Sequence, residues 1–326
     1  MKSTYIYITS INMGCRSSII PFVCSFLTER RHRVRYKGAT SDYAPITCGV
    51  PQGTRAGCVV FLALVNSFCR AVAKRGKFVD DLAMAHITNI LNEIRYKIQP
   101  DLNVLNTQCT DKNMRNNPLK SEVMHYCPPK RPIVLPDLHL GDVSLPVVQQ
   151  CKLLGVHLTT EMNWNLHVAE IIKKANKSIY MIRRAKQFQF SLHSLATLFQ
   201  WYVRTILEYA APVWHPGLTE MQHRQLELIQ RRCVRIMLGQ KYQGYEAALE
   251  RLHLSPLRDR REMLTLRLGK SILRSPEHRS LLPPTMAQVH GRATRHGNRL
   301  RVPARTTARY QNTFVPYVVK KLNALM

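Results

Sequence analysis

The amino-acid sequence predicts an α+β protein. An antiparallel sheet with helices is expected over residues 1–160, followed by an all-helical region over 161–275 and a basic C-terminal segment over 276–326. Short apolar segments on both sides of Asp80-Asp81 predict two strands joined by a tight turn. Long amphipathic patterns, with apolar residues every three or four positions, begin only in the second half of the chain. A chain of 326 residues is long enough for two compact domains.

The first half of the chain alternates helix-like and strand-like segments. Ile19–Leu27 and Ala56–Val72 carry apolar residues at helical spacing. Arg31–Tyr36 and Ala44–Val50 are predicted strands, and the second of them enters the turn Pro51-Gln52-Gly53. The later segments are, in order, the strands Lys77–Val79 and Leu82–Ala85, a helix over Asn89–Cys109 in which Pro100 is a candidate break, and short strands over Val123–Tyr126, Ile133–Leu135 and Val143–Leu145.

Helices dominate the chain after residue 160. A first helix has a predicted buried stripe between Val168 and Ile182, and a second runs from about Leu195 to Ala211. A third helix begins with a capping box, in which Thr219 is the N-cap and Gln222 the third helical residue, and Gly239 follows its end.

A fourth helix is expected from Ser255-Pro256, a capping residue followed by a proline at the first helical position, to Arg274. Beyond Pro276 the chain is rich in arginine and poor in apolar residues. We therefore expect that segment to be extended.

The charge of the chain is strongly unbalanced. Lys and Arg number 48 against 20 Asp and Glu, which gives a net charge of +28 and a pI near 10.2. Residues 151–326 carry 29 of the basic and 10 of the acidic side chains. Such an excess repels itself in a compact fold, so it indicates a polyanionic partner. Nucleic acid is the first candidate and an anionic membrane surface the second. The expected phosphate contacts are the Arg and Lys of 173–186, 231–235 and 258–274.

Cysteine spacing and apolar runs argue against a secreted or membrane protein. The nine cysteines are scattered, without the Cys-x-x-Cys spacing of a zinc knuckle or the pairing of a disulfide framework. The longest apolar run, Val59–Val65, is too short to span a bilayer. We expect an intracellular protein of the nucleus and/or cytoplasm, with no membrane partner.

The pair Asp80-Asp81 is the strongest candidate for chemistry. Two adjacent carboxylates repel each other unless a cation lies beside them, and nucleotidyl transfer uses such groups to hold two Mg²⁺ ions. An Asp-Asp pair in a turn is also common in proteins and is usually only solvated. The pair by itself therefore favours an ordinary solvated turn.

Other motifs occur around this pair in a fixed order. They are Cys48-Gly49-Val50-Pro51-Gln52-Gly53, the hairpin Phe78-Val79-Asp80-Asp81, Asn117-Pro118-Leu119-Lys120, and Lys152-Leu153-Leu154-Gly155-Val156. The series resembles the consecutive motifs of reverse transcriptases. The segment from Tyr202 to Leu218 resembles the region after the palm in jockey- and CR1-like (non-LTR) retrotransposon polymerases.

The resemblance implies a polymerase palm over 1–160 and a helical thumb over 161–275. It implies that Asp80, with Asp81 as a less critical neighbour, binds Mg²⁺. The remaining implied roles are contacts to the nascent base pair for Pro51, Gln52, Gly53 and Phe78, stabilisation of the incoming triphosphate for Lys120, and the primer grip for Leu154 and Gly155. An RNA template and a DNA primer are the implied partners.

The sequence also departs from the family pattern. The first catalytic Asp of the family precedes the Gly-Val-Pro-Gln-Gly turn, whereas here Glu29 is the only acid before Asp42. We therefore expect an N-terminally truncated RNA-directed DNA polymerase that is catalytically impaired. The alternative is a non-catalytic, basic nucleic-acid-binding remnant.

Overall fold

A computed structural model of the chain describes residues 14, 16–47, 49–66, 68–69, 72, 74–88, 93–112, 114–126, 136–291, 295–304 and 307–325. The chain divides into two compact units. The first comprises 1–123 and 128–148, and the second comprises 124–127 and 149–326. The described residues contain no helix that is both long and apolar enough to cross a membrane.

The first unit combines helices with two-stranded antiparallel sheets, as an α+β sequence predicts. Its helices are α1 (Ile20–Leu27), α2 (Arg55–Asn66) and α3 (Glu93–Asp111). Its strand pairs are β1 (Arg31–His32) with β4 (Ala44–Pro45), β2 (Arg35–Tyr36) with β3 (Ala39–Thr40), β5 (Arg75–Phe78) with β6 (Asp81–Met84), and β7 (His139–Leu140) with β8 (Val143–Ser144).

The apolar core of this unit is small. Leu102 of α3 is buried against Leu138, Leu140 and Leu145, which lie in and beside the β7–β8 hairpin. The Gln99 side chain accepts a bond from the His139 amide and donates one to the His139 carbonyl, which fixes the edge of that hairpin to the helix. This small core is therefore formed by α3 and one local hairpin.

The second unit is almost entirely helical. It starts with the hairpin of β9 (Gln150–Leu153) and β10 (Val156–Thr159). The helices that follow are α4 (Asn165–Gln187), α5 (Leu192–Leu198), a π-helical segment (Phe199–Arg204), α6 (Thr205–Glu208), α7 (Ala211–Trp214), α8 (Glu220–Leu238), α9 (Tyr245–Arg251), α10 (Leu257–Arg274), α11 (Met286–His290), α12 (Ala308–Gln311) and α13 (Phe314–Ala324).

One large apolar cluster holds α4 to α9 together. The apolar stripe of α4 packs against the buried side of α8, and fully buried Phe199 and Trp214 fill the space between these helices and the intervening segment. Burying such aromatic side chains contributes about 1.5–3 kcal/mol each. The predicted stripe of α4 and the capping box of Thr219 and Gln222 are both confirmed.

Other local predictions are wrong. The helix expected from Leu195 to Ala211 ends at Glu208, because Ala210 takes a left-handed conformation (φ +51°). Ser255 does not cap α10, whose N-cap is Pro256 without a side-chain cap bond. Pro100 lies within α3 and does not end it. A proline removes only one amide donor, and the helix continues on both sides of it.

Several predicted strands also differ from the structure. Ala44–Val50 has a strand only at Ala44–Pro45, and Arg31–Tyr36 contributes two strands of two residues each. The helix predicted over Ala56–Val72 ends at Asn66. Ile133–Leu135 lies outside the described residues. Alternating patterns as short as these carry too few residues to fix an element boundary.

The sequence predicted an extended segment after Pro276, whereas the structure has helices there. Its helix α13 packs against α10 around a second apolar cluster made of Ile272, Leu282, Leu300, Val318, Val319 and Leu322. The apolar residues of this segment are few, but those of α13 follow helical spacing and form a continuous buried face. The helical spacing of its apolar residues therefore predicts the structure of this segment better than its overall composition does.

Three histidines are buried in the second unit, and we expect them to make its stability depend on pH. Burial lowers the pKa of His167 to about 4, of His215 to about 3 and of His223 to about 4. An unfolded chain protonates its imidazoles below about pH 6.5. The free energy of unfolding should therefore be highest above that pH and should fall as the pH decreases towards 4, because the unfolded state then binds more protons than the folded state.

The measurement is the free energy of unfolding between pH 4 and 8, followed by circular dichroism. His215→Gln should reduce the slope of stability against pH in the acidic range. The control His193→Gln replaces an exposed histidine of α5 and should leave the slope unchanged. Equal slopes for the wild type and His215→Gln would show that this imidazole does not carry the pH dependence.

Candidate functional site

The hairpin of β5 and β6 presents two carboxylates to solvent. Phe78 pairs with Asp81, so Val79 and Asp80 form its two-residue turn. Phe78 is 60% exposed, and both carboxylates are exposed. Val79 has a φ of +57°, a conformation that is strained for a β-branched residue. Backbone strain of this kind is found most often at functional positions.

Lys77 attaches this hairpin to the end of α2. Its Nζ donates to the carbonyl oxygens of Asn66 at 2.7 Å and Phe68 at 3.0 Å, with Val65 at 3.4 Å. These carbonyls lie at and just beyond the C-terminus of α2, where unpaired acceptors and the helix dipole favour a cation. Lys77 therefore links the hairpin to the C-terminal end of α2.

The turn Pro51-Gln52-Gly53 leads into the other end of α2. Thr54 Oγ1 donates to the Pro51 carbonyl at 2.9 Å and accepts from the Gly57 amide at 3.1 Å. A Cβ on Gly57 would lie 2.4 Å from the Pro51 oxygen, so this close turn requires a glycine. Gln52 and Gly53 are exposed beyond it.

Lys120 ends a 3₁₀ turn, Pro118–Lys120, and its side chain is exposed. The preceding segment is attached to α3, because Asn116 Oδ1 accepts from Cys109 Sγ at 3.0 Å. Between described residues, no hydrogen bond or ion pair joins Lys120, Gln52 and Asp80 to one another. The structure thus places Gln52, Asp80 and Lys120 on the surface of the first unit, and α2 connects the Pro51-Gln52-Gly53 turn with the carboxylate hairpin.

The carboxylate pair fits a Mg²⁺ ion only in part. Mg²⁺ in proteins is commonly held by one or two carboxylates, with water and substrate phosphates as the other ligands. Asp80 and Asp81 can provide that minimum. Within the described ranges, no three His, Cys, Asp or Glu side chains are grouped as metal ligands.

The second unit holds the other predicted motif at the β9–β10 turn. Leu154 and Gly155 both have positive φ, +45° and +83°, as the commonest two-residue hairpin turn requires. Tyr209 Oη donates to the Leu154 carbonyl at 2.8 Å. A Cβ on Gly155 would lie 3.1 Å from Cε1 of the Tyr209 ring. The tyrosine therefore supports the turn directly, and the glycine allows its ring to approach.

Sequence reasoning did not identify this role of Tyr209, although it noted the surrounding segment. Trp214 Nε1 donates to the Tyr209 carbonyl at 2.9 Å, and the indole is fully buried. Glu208 accepts from Arg260 of α10 at 3.0 Å. The left-handed residue Ala210 separates α6 from α7 between these contacts. The segment is a joint that fixes Tyr209 against the hairpin, and a tyrosine beside a helix break was its only signal in the sequence.

Comparison with known proteins gives three similar curated sequences from Drosophila melanogaster. A probable RNA-directed DNA polymerase from transposon BS is 23% identical over 275 residues, which cover 79% of this chain and 29% of that protein. A probable RNA-directed DNA polymerase from transposon X-element is 23% identical over 279 residues, which cover 79% of this chain and 30% of that protein. A putative 115 kDa protein in the type-1 retrotransposable element R1DM is 21% identical over 209 residues, or 63% of this chain and 20% of that protein.

No family model matches the chain. The curated relatives confirm the resemblance to reverse transcriptases of non-LTR retrotransposons. The chain spans about 30% of the length of the first two.

The contact of Tyr209 with the β9–β10 turn can be tested by adding a methyl group. The positive φ of Gly155 alone should make Gly155→Ala destabilise the second unit by about 1–2 kcal/mol. The contact of the new Cβ with the Tyr209 ring should add to this cost. Gly291→Ala is the matched control, since Gly291 has a φ of +66° and open space around it. In thermal unfolding, Gly155→Ala should therefore have a lower midpoint temperature than Gly291→Ala.

The same comparison in a Tyr209→Ala background isolates the ring contact. There the two alanine variants should be equally destabilising, because only the cost of the backbone conformation remains. An undiminished difference between them would contradict the contact.

Proposed function

We propose that this chain forms part of an RNA-directed DNA polymerase of a non-LTR retrotransposon, with a partial palm in residues 1–160 and a thumb in 161–275. The observation that carries the proposal is the ordered series of the Gly-Val-Pro-Gln-Gly turn, the Asp80-Asp81 hairpin and the Leu154-Gly155 hairpin. Two of the relatives are described as probable RNA-directed DNA polymerases. The relatives imply nucleic-acid substrates, here an RNA template and a DNA primer.

In this proposal Asp80 binds Mg²⁺, and Asp81 adds negative charge beside it. When bound, the ion lowers the pKa of the attacking hydroxyl and neutralises charge on the phosphates. The exposed position of both carboxylates supports the assignment, because a bulky polynucleotide can reach them. Lys77 supports it indirectly, since its bonds hold the hairpin to α2.

The remaining motifs would bind substrate around that centre. Gln52 and Gly53 would contact the nascent base pair beside Phe78, because the turn exposes backbone that a nucleotide can approach closely. Lys120 would neutralise the incoming triphosphate. Leu154 and Gly155, held by Tyr209, would support the end of the primer.

We also propose that the 326-residue chain is a weak catalyst by itself. Two Mg²⁺ ions need several carboxylate oxygens to offset their repulsion. Glu29 is the only acid ahead of Asp42 in the sequence, and it follows α1 in an exposed, left-handed position (φ +53°). A segment in that conformation does not continue a strand that could face the Asp80 hairpin.

The alternative function is nucleic-acid binding without catalysis. The surplus of basic side chains in residues 151–326 favours it, since that charge serves a phosphate backbone whether or not a nucleotide is added. Both functions require duplex binding, and only the first requires Asp80.

Primer extension with Mg²⁺ separates the two functions. The purified chain should extend a DNA primer on an RNA template slowly, and Asp80→Ala should remove that extension. Asp142→Ala is the matched control, because Asp142 is also an exposed acid at a hairpin turn. Rapid wild-type extension that Asp80→Ala abolishes would contradict the proposed weakness, and the complete absence of extension would favour the binding function.

Duplex binding should depend steeply on salt. Each phosphate contact releases counterions, so the logarithm of the affinity should fall linearly with the logarithm of the salt concentration. Fluorescence anisotropy with several duplex sequences should give similar affinities, because backbone contacts carry no sequence information. An affinity that does not change with salt, or no binding at low salt, would refute both functions.

A further inference from the structure

Three of the six cations of α10 are occupied within the protein. Arg258 is paired with Glu220 at 2.8 Å, and Arg260 is paired with Glu208. Arg261 is fully buried. Asp259 lies beside the remaining Arg267, Lys270 and Arg274 along a shallow groove, whereas Glu262 of that groove is paired with Lys321 of α13 at 2.5 Å. A phosphate backbone would therefore meet at most three exposed cations outside these ion pairs at α10, on a surface that also carries Asp259.

Helices α4 and α8 lie side by side and run in the same direction. Gln222 donates to Asn165 at 2.8 Å near their N-termini, and Arg232 donates to Asn176 at 3.2 Å in the middle. Lys186 donates to the Met237 carbonyl at 2.8 Å near their C-termini. Because these partners advance together along both helices, the outward residues of the two helices form two parallel rows.

Both rows are basic. They lie opposite the buried faces of the helices and consist of exposed Lys173, Lys177 and Arg184 on α4, and Arg224, Arg231, Arg232 and Arg235 on α8. Lys173 lies 3.6 Å from Glu170, whereas the other six form no ion pair with a carboxylate of the described residues. These two rows, called here the α4–α8 ridge, therefore keep their charge available.

Aromatic rings hold several of these arginines in place. Arg231 stacks on Tyr245 at 4.8 Å, Arg235 on Tyr242 at 5.1 Å and Arg184 on Phe188 at 5.1 Å. A stacked guanidinium still has N–H groups at its edge that can donate to phosphate oxygens. Stacking restricts the side chain beforehand, so less conformational entropy is lost when a phosphate binds.

We propose that the α4–α8 ridge, rather than α10, binds the sugar-phosphate backbone of a nucleic-acid duplex. The inference rests on the proposed function, and it assigns the nucleic acid to one surface of the helical unit. Lys173 to Arg184 spans about 16 Å at the helical rise, which corresponds to about five phosphates of one strand. Packed helices have axes about 8–10 Å apart, so each row can contact one strand beside a groove of the duplex. A single-stranded nucleic acid would need only one row.

The experiment compares two triple variants of the full chain with equal loss of charge. Lys177→Gln/Arg184→Gln/Arg235→Gln removes three cations of the ridge. Arg267→Gln/Lys270→Gln/Arg274→Gln removes three exposed cations of α10 and is the control. The affinity for a fluorescein-labelled 20-base-pair duplex is measured by anisotropy across a range of salt concentrations, and circular dichroism verifies folding.

The ridge variant should lower the slope of log affinity against log salt by about 2.7, since each phosphate that is no longer neutralised lowers it by about 0.9. The α10 variant should lower it by less than one. If the wild type binds the duplex and both variants lower the slope equally, the proposed function stands and the assignment to the ridge fails. Absence of wild-type binding would overturn both.

Two further measurements complete the test. If a triple variant does not fold, Lys177→Gln and Lys270→Gln give the same comparison for one charge each. Phosphatidylserine vesicles replace the duplex in a parallel titration. Loss of vesicle binding without loss of duplex binding in the ridge variant would show that the ridge serves a membrane surface, and would overturn the proposal.

Discussion

The scarcity of carboxylates determines which basic surfaces of this protein remain charged. Twenty acids accompany 48 Lys and Arg, so most cations cannot be paired internally. In the helical unit, three of the acids lie where elements join. Glu208 binds Arg260, Glu220 binds Arg258, and Glu227 accepts from the Leu257 amide at the start of α10. Ion pairs thus attach the start of α10 to the bundle and neutralise Arg258 and Arg260, while the outward sides of α4 and α8 keep their positive charge.

The joint between α6 and α7 relates the fold to the proposed function. Buried Trp214 fixes the backbone at Tyr209, and Tyr209 in turn fixes the β9–β10 turn at Leu154. In the first unit Lys77 plays a comparable part, because it binds the end of α2 and holds the Asp80 hairpin beside it. In both units a polar side chain links an exposed hairpin to a helix end or helix break. This arrangement combines accessibility with a fixed position, as a substrate-binding element requires.

The sequence predicted well those features that depend on local periodicity. The stripe of α4, the capping box of α8 and the Asp80 hairpin follow from residues within a few positions of each other. The joint could not be predicted, because its contacts link Tyr209 with Leu154, 55 residues apart in the chain. The fold of the C-terminal segment was missed since α13 is stabilised by a partner helix, α10, rather than by its own composition. The family resemblance came from motif order, which requires no knowledge of tertiary contacts.

The central claim, that unpaired charge on α4 and α8 serves a nucleic-acid duplex, can be tested most directly by lysine footprinting. The full chain is acetylated briefly with and without a saturating duplex, and each lysine is quantified by mass spectrometry. Lys173 and Lys177 on the ridge should be protected several-fold, whereas Lys270 on α10 and Lys320 on α13, both exposed, should react equally in the two samples. Protection of Lys270 with full reactivity of Lys173 and Lys177 would contradict the account.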